Sequence, residues 1–172
     1  MSQKTLERLE TLRKLNSDRQ WENNDLYRLM YREDLYILAY ERIKSKPGNM
    51  TPGTDKETVD GCSLEAIRTI IREMRTEQFH FKPVRTTLIP KANGKQRKLG
   101  IPSARDKIIQ QVMYMILEAI YDSPIGPYFH ESSHGFRPNR SCHTALKEFR
   151  GTWTAVNWLV EGDIHACFDH AS

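Results

Sequence analysis

Cysteine is scarce in this sequence of 172 residues, which argues against sites that are built from several cysteines. The three cysteines, Cys62, Cys142 and Cys167, are far apart, and none belongs to a Cys-x-x-Cys pair. Structural zinc sites and disulfide frameworks use more cysteines at closer spacing. We therefore expect neither, and a reducing compartment is the natural setting for the chain.

Long apolar stretches are also missing. No run reaches the roughly 18 apolar residues that a membrane-spanning helix needs. The N-terminal residues place Glu7 and Glu10 among basic residues and contain no apolar segment of the signal-peptide kind. We therefore expect no membrane partner and no targeting segment.

The charge of the chain is modest but unevenly distributed. Lys and Arg number 26 against 22 acidic residues, a net charge of +4, and a hydrophobic content of 38% supports the core of one domain with room for a helical appendage. Between residues 82 and 107 the single acid is Asp106, and the basic residues are Lys82, Arg85, Lys91, Lys95, Arg97, Lys98, Arg105 and Lys107. Such a cluster creates a positive field that suits phosphate groups.

Apolar residues recur at helical spacing in three N-terminal segments. They predict helices over residues 4–15 and 25–45, and a third helix that begins after Ser63 as its N-cap. Residues 46–55 contain two prolines and two glycines, which end the second helix and predict a loop. The apolar face of the third helix consists of Leu64, Ile67, Ile70, Ile71 and Met74.

From residue 81 the hydrophobic period changes to that of a strand. Residues 84–90 and 97–102 flank Asn93 and Gly94, a strong hairpin-turn signal. We predict a β-hairpin with basic arms, and the chain as a whole is expected to be α+β.

Two further helices are predicted after the hairpin. Asp106 is expected to cap the first, and the proline- and glycine-containing residues 124–127 are expected to end it. After a loop at residues 132–140, Ser141 is expected to cap a short helix that Gly151 closes. The apolar face of the longer helix consists of Ile109, Val112, Met113, Ile116 and Ile120.

An apolar run, residues 158–160, leads into Gly162 and Asp163 and predicts a buried strand that delivers one carboxylate at its end. A buried carboxylate is costly unless it is paired or bound to a metal. Phosphoryl transfer by two metal ions needs several such carboxylates. Asp163 is therefore our candidate for a first metal ligand, and the alternative is an Asp that caps a strand or turn.

Several short motifs follow one another along the chain. They are Thr-Pro-Gly-Thr-Asp at 51–55, Thr-Val-Asp-Gly at 58–61, Leu-Ile-Pro-Lys at 88–91, Gly-Lys-Gln-Arg-Lys-Leu-Gly-Ile-Pro at 94–102, Ser-His-Gly-Phe-Arg-Pro at 133–138, Arg-Ser-Cys-His at 140–143, Gly-Asp-Ile at 162–164 and Cys-Phe-Asp at 167–169. Their order closely resembles that of group II intron-encoded reverse transcriptases, also called maturases, of the mitochondrial-like lineage, and the resemblance covers nearly the whole chain. It implies an N-terminal helical RNA-binding extension (1–50), the fingers (51–156), built from a basic hairpin and helices, and the start of a palm (157–172).

The resemblance implies a nucleotide site on the fingers. Lys91 and Arg97 would grip the triphosphate of the incoming dNTP, for which a guanidinium offers a forked donor. Arg137 would line the path of the templating strand and the nucleotide. The alternatives are solvated hairpin charges for the first two, and for Arg137 a brace that pairs with Asp106 or Glu118.

The resemblance also implies a metal and a sugar contact near the chain's end. Asp163 and the backbone carbonyl of Ile164 would bind Mg²⁺. Phe168 would pack under the sugar and exclude a 2′-hydroxyl, so that the product is DNA, and the alternative is a core aromatic residue beside the strand. His134 and His143 are better interpreted as structural hydrogen-bonding residues than as catalysts.

Intron RNA is the implied partner of the chain, with an RNA template and a DNA primer as further partners of the parent protein. Basic residues that are available for RNA phosphates are Arg8, Arg13, Lys14, Arg28, Lys44, Lys46, Lys82, Arg85, Lys95 and Lys98.

The sequence also departs from the family. The Tyr-Ala-Asp-Asp motif that carries the other metal-binding aspartates is not present, and one carboxylate cannot hold two cations. We therefore expect the chain alone to bind RNA, to hold Mg²⁺ weakly and not to polymerise. Apolar surface left exposed where a palm would pack leads us to hypothesise a homodimer.

The resemblance places the protein in the mitochondrial matrix, if its gene is organellar, or in the bacterial cytoplasm. Two other functions stay open. One is a stand-alone RNA-binding splicing factor with a degenerate reverse-transcriptase fold. The other is a retron-type or CRISPR-associated reverse transcriptase.

Overall fold

The computed structural model describes residues 2–124 and 128–164, and the chain divides into two units between Tyr128 and Phe129. Helices together with a two-stranded antiparallel sheet confirm the predicted α+β class. The second unit contains α6 (Cys142–Thr152). The first unit contains α1 (Ser2–Leu15), α2 (Leu26–Leu29), α3 (Glu33–Ile43), a 3₁₀ turn (Val59–Gly61), α4 (Leu64–Arg75), β1 (Arg85–Pro90), β2 (Gln96–Ile101) and α5 (Ala104–Tyr121).

The boundary between the units differs from the predicted domain limits at residues 50 and 156. Helices α1 and α3 pack against α5, and α3 also packs against α4, so the N-terminal helices share one core with the residues that follow them. The functional division into extension, fingers and palm stays a prediction.

Helix α5 is the centre of that core. Its side chains Ile108, Ile109, Val112 and Met115 are completely buried. Burial of each such side chain contributes about 1.5–3 kcal/mol. The residues that pack around them come chiefly from α3 and α4 and include Leu35, Tyr36, Leu38, Ala39, Ile67, Ile70 and Met74.

Tyr36 is the largest fully buried side chain of the core. Its hydroxyl donates a hydrogen bond to the backbone carbonyl of Met30 at 2.9 Å, so the polar end of the ring is satisfied inside the core. Burial raises the pKa of Tyr36 well above its ordinary value. The ring therefore remains a neutral donor and fixes the turn between α2 and α3.

The single helix predicted over residues 25–45 is wrong, because the structure has two helices there. Arg32 is extended and separates them, and Glu33 and Asp34 form the first turn of α3. Acidic residues are favourable at a helix N-terminus. Asp34 also accepts hydrogen bonds from Thr5 and Arg8 of α1, at 2.9 and 3.2 Å, which fixes the start of α3.

The predicted caps are confirmed in two of three cases. Ser63 accepts a hydrogen bond from the backbone N–H of Ala66, and Ser141 forms a capping box with Thr144. Asp106 is not a cap: Ser103 caps α5, and Asp106 lies in the first turn, where the structure buries it. Its carboxylate accepts the backbone N–H of Lys82 at 3.0 Å, a long-range contact that the local pattern does not reveal.

Some helix faces and ends also differ from the predictions. Met113, on the predicted apolar face of α5, is 40% exposed, unlike the other four residues of that face, which are buried. Helix α5 ends at Tyr121, before residues 124–127, of which 125–127 lie outside the described residues. Gly151 lies inside α6, which continues to Thr152.

The buried strand predicted before Asp163 is also wrong. Residues 153–164 contain no strand, and the side chains of Trp158 and Val160 are 90% and 95% exposed. A strand needs hydrogen bonds to a neighbouring strand. In the part of the chain that the structure describes, strand pairing is confined to β1 and β2, so this apolar run has no partner.

The loop at residues 48–55 docks onto the start of α5. The Lys107 ammonium donates hydrogen bonds to the backbone carbonyls of Gly48, Asn49 and Thr51, at 3.4, 3.0 and 2.6 Å. Burial lowers the pKa of Lys107, the nearby Arg85 charge acts in the same direction, and Asp55 opposes it. One side chain thereby satisfies three carbonyls of a loop that belongs to neither a helix nor a strand.

At Gly53 the same loop packs directly against the backbone of Pro102 and Ser103, the N-cap residue of α5. A Cβ atom at Gly53 would lie 2.7 Å from the Ser103 Cα and 2.9 Å from the Pro102 carbonyl oxygen. These are backbone atoms that cannot rotate away. The position therefore requires glycine because of close approach.

Substitution of Gly53 tests this docking. We expect Gly53→Ala to reduce the free energy of unfolding by about 1–3 kcal/mol, because overpacking forces the backbone apart. Gly61→Ala is the matched control, since a Cβ atom there meets nothing within 4 Å. Urea unfolding followed by circular dichroism measures both, and equal midpoints for the two variants would contradict the docking.

Candidate nucleic-acid interface

The basic hairpin has a defined register. Strands β1 and β2 are antiparallel, with Ile89 opposite Arg97 and Leu88 opposite Lys98. The turn is closed by the N–H of Gly94, which donates to the Lys91 carbonyl at 3.0 Å, and by the N–H of Lys91, which donates to the carbonyl of Lys95. Gly94 has φ +76°, a conformation that favours glycine. The Asn93–Gly94 turn and the hairpin are thus confirmed.

This register distributes the hairpin cations between two faces. Side chains alternate along a strand, and directly opposed residues share a face. Arg97 therefore lies on the same face as Ile89, and Lys98 lies on the other face. Continued by one residue beyond β1 and β2, the same alternation puts Lys91 and Lys95 on the face of Arg97. The pair predicted to hold a triphosphate, Lys91 and Arg97, is placed on one side of the hairpin.

These four cations are exposed. Among the residues that the structure describes, none of the four lies within 4 Å of a carboxylate. An exposed cation without an ion-pair partner can bind an external anion without first breaking another ion pair. Chemically, the tip of the hairpin is suited to phosphates.

The other cations of the 82–107 cluster build the structure instead. Lys82 pairs with Asp55 at 3.1 Å, and the Arg85 guanidinium donates to the Pro52 carbonyl at 3.0 Å. Both residues anchor the hairpin base, and their predicted contacts with RNA stay predictions. Arg105 pairs with Glu73 of α4.

Arg137 braces its own loop in the second unit. Its guanidinium donates to the carbonyls of His130 and Ser133, at 3.0 and 2.9 Å, and lies 5.3 Å from the ring centroid of Phe129. Phe136 beside it is fully exposed at φ +59°, a backbone conformation that bulky residues rarely adopt. The sequence pattern places Phe136 in the Ser-His-Gly-Phe-Arg-Pro motif but does not reveal the strain of its backbone.

His134 joins this loop to α6. Its Nδ1 lies 2.8 Å from the Thr144 hydroxyl, and its Nε2 lies 2.8 Å from the Glu148 carboxylate. Side-chain hydrogen bonds lower the pKa of the Glu148 carboxyl group, and the bond from Ser132 has a larger effect than the bond from His134. The predicted structural role of His134 is confirmed by these contacts.

The predicted metal ligands do not form a site among the described residues. Asp163 is exposed, and Ile164 is 75% exposed. No three Asp, Glu, His or Cys side chains converge anywhere in residues 2–124 and 128–164. Because Mg²⁺ needs several oxygen ligands, these residues alone do not fit it. Phe168 lies outside the described residues.

The predicted RNA-binding residues of the N-terminal region differ in whether they already contact another side chain. Arg8, Arg13 and Arg28 pair with Asp34, Glu10 and Asp25, respectively. The Lys44 ammonium lies 5.8 Å from the ring centroid of Tyr40. Lys14 and Lys46 are exposed, and in the described part of the chain neither has a carboxylate within 4 Å.

No helix among the described residues is both long and apolar enough to cross a membrane.

Comparisons with known proteins identify relatives over most of the chain. Residues 89–172 match the family model described as reverse transcriptase (RNA-dependent DNA polymerase). A COX1/OXI3 intron 1 protein of Saccharomyces cerevisiae is 47% identical over 87% of this chain and 18% of its own length. The group II intron-encoded protein LtrA of Lactococcus lactis is 45% identical over 84% of this chain and 24% of its own length.

A more distant relative carries the word maturase in its name. The nuclear intron maturase 2, mitochondrial, of Arabidopsis thaliana is 28% identical over 80% of this chain. The chain spans between 18% and 24% of the length of these three relatives. The motifs and the relatives agree, and the chain therefore belongs to the family of group II intron-encoded reverse transcriptases.

Proposed function

We propose that this chain is the RNA-binding fingers region of an RNA-directed DNA polymerase that also assists the splicing and mobility of its own group II intron. The observation that carries the proposal is the hairpin, whose base is tied to the core and whose tip holds four cations without a carboxylate within 4 Å in residues 2–124 and 128–164. A fixed base positions the charges, and a free tip leaves them available to phosphates.

Within this function, Lys91 and Arg97 bind the triphosphate of a dNTP. Their common face supports this role, since two cations on one face can contact one polyanion, and the guanidinium adds a bidentate donor. Arg137 contacts the templating strand, as the family resemblance implies. Phe168 selects against a 2′-hydroxyl.

Magnesium requires more than this chain's described residues provide. Asp163 and the Ile164 carbonyl offer two oxygen ligands, and we propose that they hold Mg²⁺ only together with further carboxylates. Such an ion would neutralise charge on the phosphates during phosphoryl transfer. By itself, the chain is proposed to bind RNA without polymerising.

The RNA contacts are proposed to come from cations of two kinds. Lys95 and Lys98, with Lys14, Lys44 and Lys46, bind phosphates directly, because none of the carboxylates that the structure describes lies within 4 Å of them. Lys82 and Arg85 act by holding the hairpin in place. The N-terminal arginines contact RNA by exchanging exposed ion pairs for phosphates, at small cost. These N-terminal arginines are Arg8, Arg13 and Arg28.

The wider setting follows from the family. In the parent protein the partners are intron RNA, an RNA template and a DNA primer, in a bacterial cytoplasm or a mitochondrial matrix. The exposed side chains of residues 158–160 support a homodimer of the chain. A monomer in light scattering at high concentration would contradict that last point.

Binding of dTTP tests the nucleotide site. We expect dTTP, but not thymidine, to shift the amide resonances of residues 91–97 in the nitrogen-15 spectrum of the chain. Arg97→Ala should weaken dTTP binding about tenfold, through loss of a charged hydrogen bond. Lys98→Ala removes an equal charge from the opposite face and should change the affinity less than threefold. Equal losses in both variants would contradict the shared-face site.

A salt titration tests RNA binding. We expect the chain to bind its own intron RNA about tenfold or more tightly than an unrelated structured RNA of equal length at physiological salt. Lys95→Ala/Lys98→Ala should make the slope of log affinity against log salt shallower by about 1.8, from two lost phosphate contacts. Lys147→Ala/Arg150→Ala on α6 is the charge-matched control. Equal, steeply salt-dependent binding to both RNAs would contradict specific recognition.

A further inference from the structure

A second basic surface, which no hairpin residue lines, is formed by α1, the junction of α2 and α3, and α4. One recess of about 580 Å³ is lined by five cations: Lys4, Arg8, Arg28, Arg32 and Arg75. An adjoining recess of about 450 Å³ shares Tyr31, Glu33 and Arg75 with it and adds Arg68 and Arg72. We call the two recesses together the α4 groove.

The two carboxylates in the α4 groove are already neutralised. Asp34 accepts hydrogen bonds from Arg8 and Arg32, at 3.2 and 3.3 Å. Glu33 pairs with Arg68 at 2.9 Å, and this contact raises the pKa of Arg68. Seven cations face these two acids, so the groove is strongly positive although the whole chain carries only +4.

The remaining cations are available to a ligand. Arg28 lies 3.5 Å from Asp25 beside the groove, but both side chains are more than 70% exposed, and such pairs are weak. Among the described residues, no carboxylate lies within 4 Å of the other three cations, which are Lys4, Arg72 and Arg75.

An aromatic platform lies among these charges. The Arg75 guanidinium carbon is 5.5 Å from the ring centroid of Tyr31. Tyr27 contacts the same ring edge to face, with centroids 5.5 Å apart, and holds its orientation. Bases stack on aromatic rings and on guanidinium planes without regard to sequence.

The dimensions of the α4 groove fit a short strand. Residues 68–75 of α4 extend over about 10 Å at 1.5 Å per residue, enough for two or three phosphates of one strand. A duplex keeps its bases stacked inside and offers none to a recessed ring. A membrane surface would need protruding apolar side chains, whereas Tyr31 is partly buried between charges.

We propose that the α4 groove binds a single-stranded RNA segment of two or three nucleotides. Its arginines hold the phosphates, and one base packs against Tyr31 and Arg75. The proposal rests on the RNA-binding function proposed above and adds a site on α4, a helix for which the sequence pattern predicted no ligand.

Fluorescence anisotropy with a labelled twelve-nucleotide oligouridylate tests the charges. We expect Arg72→Gln/Arg75→Gln to weaken binding about tenfold and to make the salt slope shallower by about 1.4, from two lost single-strand contacts. Lys147→Gln/Arg150→Gln removes the same charge from exposed positions of α6 and should stay within twofold of the unmodified chain. Thermal unfolding confirms that both variants are folded.

Two substitutions at one position test the platform. Tyr31→Phe keeps the ring and should bind within twofold of the unmodified chain, whereas Tyr31→Leu should bind about fivefold or more weakly. Crosslinking of a 4-thiouridine oligonucleotide to the unmodified chain needs no variant. It should label peptides that contain Tyr31 or Arg75.

The outcomes separate this proposal from the one on which it rests. Equal losses in the α4 and α6 variants, or crosslinks confined to hairpin peptides, overturn the groove and leave RNA binding intact. No binding of RNA by the unmodified chain overturns both proposals. Tighter binding to twelve-base-pair duplex RNA, or to phosphatidylserine vesicles, overturns single-stranded RNA as the ligand.

Discussion

The docking of loop 48–55 onto the start of α5 is the contact on which the hairpin depends. Lys107 satisfies three loop carbonyls, and Gly53 lets the loop reach the cap of α5. In the docked loop, Asp55 pairs with Lys82, which precedes β1. The Pro52 carbonyl accepts a hydrogen bond from Arg85, the first residue of β1. A two-stranded hairpin is marginal on its own. Here its base is held by the core, so its tip extends from a fixed point.

Cations near the base of the hairpin stabilise the structure, whereas cations at its tip are available to a ligand. A cation that donates to backbone carbonyls, as Lys107 and Arg85 do, is already committed, and its release would leave partly buried acceptors unsatisfied. Lys91 and Arg97 lie at the other end of the hairpin and have no such partners among the described residues. The same division is seen in the α4 groove, where Arg68 pairs with Glu33 and Arg75 remains available to a ligand.

The sequence predicted those features that depend on local chemistry. The cap at Ser63 needs only the N–H of Ala66, and the hairpin needs a turn residue such as Gly94, so both were found. Features that depend on distant partners were missed. The role of Asp106 rests on a backbone N–H that is 24 residues away in sequence, and a strand before Asp163 would need a neighbouring strand. Likewise, a pattern of charges does not reveal that Lys82 pairs with Asp55, 27 residues away in sequence.

A lysine-reactivity footprint tests the central claim most directly. The chain would be acetylated briefly, with and without its intron RNA, and modification of each lysine measured by mass spectrometry. The account predicts that in the free chain Lys91, Lys95 and Lys98 react rapidly while Lys82 and Lys107 are protected, and that RNA then protects the first three. Equal reactivity of all five lysines in the free chain, or hairpin lysines that RNA leaves unchanged, would contradict it.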